Sequence, residues 1–231
     1  MGGERAGCIE VLWGSRPGPR RGPKPALSLS RIARTGIEVA DAEGLAAVSM
    51  QRVAGELGFT KMSLYRYVPG KAELVALMAD LAMGEPPALH GFWRDRLDAW
   101  ARALLPRFVQ HPWVLEVTTG PRIPGPNELA WMEAAVSALS GTGLRGSEQL
   151  DAVVVLVGHV RGIAQQAAAT PDDSPERQLH TSLADLLRDH GDRYPAVTAA
   201  LAEADFHDEA LDFGLARILD GLATLITTRS P

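Results

Sequence analysis

Apolar residues recur along most of this chain at steps of three and four, the period of a helix that buries one face. The clearest run begins at Trp93 and continues through Trp100 to Phe108, and a second run lies between Leu211 and Ile226. Strict alternation of apolar and polar residues, which would indicate strands, is almost absent. The pattern therefore predicts an all-α protein.

Glycine and proline divide the periodic stretches into separate helices. Pro106 is expected to kink or divide the helix that contains it, because proline has no backbone N–H to donate. Two further short helices are expected between residues 175 and 210. The other predicted helices cover residues 28–42, 71–83, 93–108, 127–140, 147–169 and 211–226.

The first 27 residues differ in composition from the rest of the chain. They are rich in proline, glycine and arginine and show no period, which predicts a flexible basic arm at 1–27. Such an arm could follow the minor groove of DNA beside a main binding site, or it could be a solubilising tail. Its basic residues are Arg16, Arg20, Arg21 and Lys24.

The stretch "SMQRVAGELGFTKMSLYRYVPGK", residues 49–71, has the pattern of a helix-turn-helix. Ala54 is small where a second helix must cross closely, Gly58 supplies the positive φ of a short turn, and Thr60 can cap the following helix. Leu64 is predicted to point inward, which leaves mostly polar side chains outside. In such a unit the second helix enters the major groove of DNA, which is about 12 Å wide.

Charge is distributed unevenly along the chain. The net charge is -5, but residues 1–83 carry 11 Lys and Arg against 8 Asp and Glu, whereas residues 84–231 carry 12 against 20. Only the N-terminal third has the sign that attracts a polyanion, although a chance fluctuation of surface charge is the alternative.

Length and composition predict a soluble protein with a sizeable core, since 46% of its 231 residues are apolar. The most strongly apolar run, 152–158, is far shorter than the roughly 20 residues that cross a bilayer. The N-terminus has no secretory signal pattern, and Cys8 is the single cysteine. We therefore expect no membrane contact and a cytoplasmic location.

Residues 40–80 resemble the N-terminal DNA-binding domain of the TetR family of bacterial transcriptional regulators. The shared elements are "EGL", the serine before the second helix, "VAGELG", "SLYRYV" and the lysine at 71. The resemblance implies a three-helix helix-turn-helix domain with its connecting helix at 28–83, and a larger helical domain for effector binding and dimerisation at 84–231. More weakly, "FWRDRLDAWARALL" and "VGHVRG" resemble the C-terminal domain of the tetracycline-type branch.

The resemblance also implies DNA contacts. Gln51 falls where the family reaches a base, Ser49 and Met50 lie beside the sugar-phosphate backbone, and Tyr65 and Lys71 fall at phosphates. Tyr65 could instead be half buried, and Met62 could pack in the core. The candidate DNA-binding residues are Ser49, Met50, Gln51, Thr60, Lys61, Met62, Ser63, Tyr65, Arg66 and Lys71.

Two later helices have the composition of a subunit interface. Glycines and alanines make the helix at 147–169 narrow. The helix at 211–226, whose apolar residues form a single stripe, is its expected partner. Two such helices from each subunit would form a four-helix interface. The alternative is that both helices pack inside one monomer. The candidate interface residues are Val157, Gly158, Gly162, Leu215, Leu219 and Leu222.

A cluster of large apolar residues with few polar ones predicts a pocket for a small hydrophobic effector. Tetracycline-binding relatives hold a metal–drug chelate with a histidine, whereas Glu116 stands at the matching place here, so no metal or other cofactor is expected. The candidate walls are Trp100, Leu104 and Trp131, and the candidate polar partners are Thr118, Thr119, Arg122, His159 and Arg161.

The predicted function is a ligand-responsive transcriptional repressor. It would bind a palindromic operator in double-stranded DNA as a homodimer and be released by its effector. A TetR-type activator and a helical protein-interaction scaffold are the alternatives. An enzyme is not expected. The six histidines are scattered without a metal-binding pair, and the sharp turn that presents a nucleophilic serine must follow a strand, which an all-helical chain does not offer. No catalytic residue is therefore predicted.

Overall fold

The computed structural model describes residues 2–14, 27–169, 175–203 and 210–229. Within these ranges the chain is helical and contains no strand, which confirms the predicted fold class. The helices are α1 (Gly2–Trp13), α2 (Leu29–Glu43), α3 (Met50–Leu57), α4 (Lys61–Tyr65), α5 (Lys71–Met83), α6 (Trp93–Gln110), α7 (Trp113–Val117), α8 (Pro126–Ala138), α9 (Gly146–Ala169), α10 (Pro175–His190), α11 (Pro195–Glu203) and α12 (Ala210–Arg229).

Local sequence signals set the ends of the first helices. Ser28 caps α2, because its hydroxyl accepts from the backbone N–H of Arg31 at 3.2 Å. Gly58 ends α3 in the left-handed region with φ of 74°. Helices α2, α3 and α4 pack around a common core and, together with α5, form the N-terminal domain.

The C-terminal domain is built around α6, which packs against α8 and α9, while α12 packs on α9. Helix α6 continues without a break through Pro106, so the predicted division there does not occur. A proline removes one backbone hydrogen bond of its helix, and burial of Leu104 and Phe108 on either side of Pro106 stabilises the continuous helix.

The prediction of a flexible arm is wrong for the N-terminal end of the arm, which forms helix α1. It packs against α5, with Leu12 buried, and the Trp13 indole donates to the carbonyl oxygen of Pro124 at 3.0 Å. The apolar residues at 11–13 therefore anchor the helix to both domains. Residues 15–26 of the predicted arm, including Arg16, Arg20, Arg21 and Lys24, lie outside the described residues, and Leu27 at its end is buried.

A buried carboxylate joins the connecting helix α5 to the C-terminal domain. Asp80 is 4% exposed and accepts from the backbone N–H groups of Asn127 at 2.8 Å and Glu128 at 3.1 Å. These are free donors at the positive end of α8, where a negative charge is favoured. Gly125 permits this approach, because a Cβ there would lie 2.2 Å from the Asp80 carboxyl group.

Helix α9 is the one helix in the described part of the chain that is long and apolar enough to cross a bilayer by length and composition. It nevertheless carries Glu148, Asp151 and Arg161, and it packs against α6, α8 and α12. Packing between helices accounts for its buried residues, such as Val153, Leu156 and Val160, whereas Val154 and Val155 remain exposed.

Asp80→Asn is expected to lower the free energy of unfolding by about 1.5–3 kcal/mol, because a charged acceptor for two backbone donors is lost. Urea unfolding followed by circular dichroism measures this. Asp98→Asn is the control, since Asp98 pairs with Arg102 at 2.8 Å on the surface of α6 and its loss should cost less than about 1 kcal/mol. Equal losses in the two variants would contradict the role given to Asp80.

Candidate functional site

The buried face of the helix-turn-helix matches the predicted pattern. Val53, Ala54, Leu64 and Val68 are each at most 2% exposed, so α3 and α4 cross closely over a shared core. The Thr60 hydroxyl caps α4 by accepting from the Ser63 backbone N–H at 3.3 Å, and it lies 2.9 Å from the Ser63 hydroxyl. This packing and this cap hold α4 in a fixed orientation on the surface.

Most of the candidate DNA-binding side chains lie on the outside of this unit. Met62 is 71% exposed, which excludes the alternative that it packs in the core, and Tyr65 is 37% exposed. The Lys61 ammonium lies 5.5 Å from the centre of the Tyr65 ring, a cation–π contact on the outer face of α4. The other exposed members of the set are Ser49, Gln51, Thr60, Arg66 and Lys71, and Ser63 is half-buried.

Met50 does not lie where the sequence predicts it. Its side chain is 5% exposed and belongs to the core, so it cannot reach a sugar-phosphate backbone. The adjacent Ser49 is instead the exposed residue and caps α3 by accepting from the Arg52 backbone N–H at 3.1 Å. The prediction for Met50 is therefore wrong, because the first turn of α3 directs this side chain inward.

The exposed cations of this surface differ in their partners. Arg52 lies between Glu43 at 2.6 Å and Glu56 at 2.9 Å, and its hydrogen bond to Glu56, followed by that to Glu43, raises the pKa of the guanidinium. Among the described residues no carboxylate forms an ion pair with Lys61, Arg66 or Lys71. These three charges are thus available to an external anion.

Tyr67 is a candidate that the sequence reasoning missed. It is 38% exposed and follows α4 directly, in the same "SLYRYV" stretch as Tyr65. A second tyrosine two positions after the first is the signal that could have identified it, since a phenol hydroxyl can donate to a phosphate.

The predicted pocket walls are core residues. Trp100, Leu104 and Trp131 are 1%, 2% and 3% exposed, and a side chain that lines a cavity wide enough for water would retain more surface. The Trp100 indole donates to the backbone carbonyl of Trp131 at 2.9 Å, and the Trp131 indole donates to that of Gly84 at 2.9 Å. The prediction that they line a pocket is therefore corrected: their edge-to-face packing and satisfied N–H groups are those of a closed core.

Three of the predicted polar partners meet at the C-terminal end of α7. The Arg161 guanidinium donates to the hydroxyls of Thr118 at 2.6 Å and Thr119 at 3.1 Å, and to the Leu115 carbonyl oxygen at 2.6 Å. It also lies 5.5 Å from the Phe108 ring. Burial, and then the nearby positive charge of Arg122, lower the pKa of Arg161. The group is a half-buried cation with neutral acceptors.

The remaining two polar candidates form no hydrogen bond with Arg161. Arg122 forms a bidentate ion pair with Glu128 at the start of α8. His159 donates from Nε2 to the Leu211 carbonyl oxygen at 3.1 Å and packs against Gly214, so it belongs to the contact between α9 and α12 and not to the Arg161 cluster. The expectation that His159 contacts an effector together with Thr118, Thr119 and Arg161 therefore does not hold, because His159 lies apart from these residues.

The other end of α7 contacts the N-terminal domain. Asp41 of α2 accepts from His111 Nδ1 at 2.8 Å and from Trp113 Nε1 at 2.7 Å. His111 and Trp113 are 7% and 3% exposed. Nothing in the sequence pattern indicates this contact, because its members lie some seventy residues apart.

Part of the predicted subunit interface lies inside the chain. Leu215 and Leu219 are 1% and 2% exposed, so they are core residues of the single chain, and their assignment to the interface is corrected. Val157, Gly162 and Leu222 are half-buried and Gly158 is exposed. The outer face of α9 instead presents Val154 and Val155, 68% and 52% exposed, beside an open groove of about 370 Å³ between α9 and α12.

Family models match nearly the whole chain in two consecutive parts. Residues 26–78 match the model of bacterial regulatory proteins of the tetR family, and residues 85–226 match that of the tetracyclin repressor-like C-terminal domain. The HTH-type transcriptional repressor DrrR1 of Streptomyces coeruleorubidus is 40% identical over 240 residues, which cover 98% of this chain and 88% of DrrR1.

Solved structures of similar fold include ActR, a TetR family protein of Streptomyces coelicolor. Apo ActR is 26% identical, with a TM-score of 0.75 over 90% of this chain and 100% of ActR. ActR in complex with actinorhodin is also 26% identical, with a TM-score of 0.71 over 87% of this chain and 97% of ActR.

The placement of the two methionines gives a matched test. Met50→Ala is expected to lower the free energy of unfolding by about 2–5 kcal/mol, because it removes a buried side chain. Met62→Ala should change stability by less than about 0.5 kcal/mol, because its side chain is largely in solvent. Urea unfolding of both variants measures the difference, and similar losses would contradict the assignment of Met50 to the core.

Proposed function

Because the chain belongs to the TetR family of bacterial transcriptional regulators, we propose that it is a repressor which binds a near-palindromic operator as a homodimer. A small-molecule effector releases it from the DNA. It acts in the cytoplasm, without catalytic activity, and places two recognition helices in major grooves about 34–36 Å apart or at a related spacing.

The exposed surface of α4 is the observation that carries this proposal. Lys61, Arg66 and Lys71 have no described carboxylate partner in ion pairs, and Met62 stands in solvent on a rigid, capped helix. A lysine can donate to guanine acceptors, and a methionine side chain can contact a thymine methyl group. Tyr65 and Lys71 supply phosphate contacts that fix the register of the helix on DNA.

The outer face of α9 supports assembly into a homodimer. Gly158 and Gly162 have open space where a Cβ would stand, so packing against the described residues of the same chain does not explain them. Each costs about 1 kcal/mol of helix stability relative to alanine, which close approach of a second helix would offset. Gly221 of α12 is open in the same way, and exposed Val154 and Val155 supply apolar surface.

The effector site is proposed to include the cluster at the end of α7. Thr118, Thr119 and Arg161 offer hydroxyls and a guanidinium without a described carboxylate partner, a combination suited to an acidic or carbonyl oxygen. ActR, the similar protein that has been solved with actinorhodin, supports a small-molecule effector for this chain as well.

Two lysine variants test the DNA-binding surface on the DNA that flanks the protein's own coding region. Lys71→Ala should weaken binding to all sequences alike and reduce the salt slope by roughly 0.9, because one phosphate contact is lost. Lys61→Ala should cost about 1–3 kcal/mol on the operator and relax preference at one position in each half-site. Fluorescence anisotropy across a salt series and a set of single-base variants measures both effects.

The proposal fails if the wild type does not discriminate this fragment from unrelated DNA of the same length. If both lysine variants have the same salt slope and the same sequence profile, the separation into base and phosphate contacts is wrong while DNA binding itself stands.

Replacing Val154 and Val155 with glutamate should convert the protein to monomers at micromolar concentration, because it places charges in an apolar interface that excludes water. Light scattering measures the mass. Val109→Glu is the control, since Val109 is an exposed valine of α6, 45% exposed, that is not part of the proposed interface. A monomeric wild type, or an unchanged mass in the double variant, would contradict the proposed interface.

A further inference from the structure

Helix α1 is attached to both domains through a small number of contacts. Gly7 packs on α5, where a Cβ at this position would lie 2.6 Å from Oε1 of the buried Glu73. Leu12 is 6% exposed, and the Trp13 indole donates to the carbonyl oxygen of Pro124 in the C-terminal domain. The helix therefore touches α5 at one end and the loop before α8 at the other.

The two attachment points lie at opposite ends of α5. Glu73 is in the first turn of α5, whereas Pro124 directly precedes the glycine that packs on Asp80 in the last turn. The step from Glu73 to Asp80 rises about 10.5 Å along an α-helix. The step from Gly7 to Trp13 rises about 9 Å along α1. Helix α1 thus runs parallel to α5 and spans the junction between the domains.

Helix α1 has little stability of its own. Three of its 12 residues are glycines, which favour the helix less than any residue except proline, and isolated helices of this length are marginal in water. Its docking is also shallow. Leu12 is the one described side chain of α1 that is fully buried, since Cys8 and Val11 are half-buried and Trp13 is 45% exposed.

A segment with few buried apolar contacts opens at a free energy far below that of global unfolding. Because α1 is too short and too rich in glycine to persist in solution, it unfolds when it leaves α5. Docking and folding of α1 are therefore one two-state step.

We propose that α1 is a reversible strap across the junction between the two domains. Docked α1 holds the first turn of α5 and the loop at Pro124 in one arrangement, and undocked α1 lets the domains sample a wider range of angles. Leu12 and Trp13 are the positioning residues of the strap. The docked fraction sets how much of the protein has its recognition helix prepared for the operator, and this last step rests on the proposed function.

Docking of α1 can be followed through its own cysteine. Cys8 is the single cysteine of the chain and is half-buried in docked α1, so its reaction with a maleimide is faster in the undocked state. Leu12→Ala should raise the rate roughly tenfold or more, because it removes the fully buried side chain of the strap. Trp13→Phe keeps an aromatic ring but loses the N–H donor, and it should raise the rate roughly two- to tenfold.

Ile9→Ala is the matched control for Leu12→Ala. Both changes truncate a large aliphatic side chain of the same helix to alanine, but Ile9 is 46% exposed. The Cys8 reaction rate of Ile9→Ala should therefore stay within about twofold of the wild type.

Pulsed electron paramagnetic resonance measures the effect of the strap on the domain angle. Spin labels are placed at Gly55→Cys on α3 and Glu133→Cys on α8, both exposed positions, in a Cys8→Ser background. Dilution with unlabelled protein restricts the signal to distances within one chain. Leu12→Ala should broaden the distance distribution relative to the same background without it, and Ile9→Ala should not.

Operator affinity tests the consequence for DNA binding. On the DNA that flanks the coding region, Leu12→Ala should bind roughly two- to tenfold more weakly than the wild type, because apparent affinity falls with the fraction of prepared protein. The salt slope should stay the same, since no phosphate contact is lost. A reduced salt slope would instead make α1 a DNA contact and would overturn its role as a strap.

The proposal is overturned if Cys8 of the wild type reacts as fast as in the urea-unfolded protein, or if Leu12→Ala and Ile9→Ala react alike. A faster reaction in Leu12→Ala with an unchanged distance distribution overturns it as well, because α1 then restrains nothing. Thermal unfolding shows whether Leu12→Ala is folded, and if it is not, Trp13→Phe carries the same three measurements. A wild type that binds no operator contradicts the proposed function, whereas the thiol and distance measurements still decide the strap.

Discussion

The buried carboxylate of Asp80 is the constraint that the rest of the molecule depends on. A charge in a protein core is unstable unless donors surround it, and Asp80 finds two of its donors at the free N–H groups of α8. Because Asp80 lies on α5, the helix that follows the helix-turn-helix, this requirement constrains how the two domains meet. The orientation of the DNA-binding surface is therefore set from within the C-terminal domain.

Other links across the same junction are also polar and directional. The Trp131 indole donates to Gly84, the Trp13 indole donates to Pro124, and Asp41 accepts from His111 and Trp113. Two apolar surfaces in contact can slide past each other through many arrangements of similar energy, whereas hydrogen bonds of defined geometry favour only a few arrangements. A junction of this kind suits a regulator that changes between discrete states.

The DNA-binding domain could be predicted in detail because its signals are local. Gly58 and Thr60 specify the turn and the cap by their own chemistry, and Val53 and Leu64 follow from the helical period. Met50 lies on the same buried face, three and four positions before Val53 and Ala54, but the resemblance to the family placed it beside the DNA backbone instead. Trp100 and Leu219 were misassigned for a different reason: a large apolar side chain fits a core, a pocket wall and an interface equally well, and the packing of distant helices decides which it joins.

The glycines of α9 have a consequence for the chain on its own. Gly158 and Gly162 weaken the intrinsic preference of α9 for the helical state, and none of the described residues of the chain fills the space beside them. The same helix carries Arg161 and its contacts to α7. In the proposed homodimer, a protomer without its partner would thus lose more than the second recognition helix, because fraying of α9 would reach its own interior. Dilution would then act on folding and on assembly together, so that stability in this protein depends on how much of it is present.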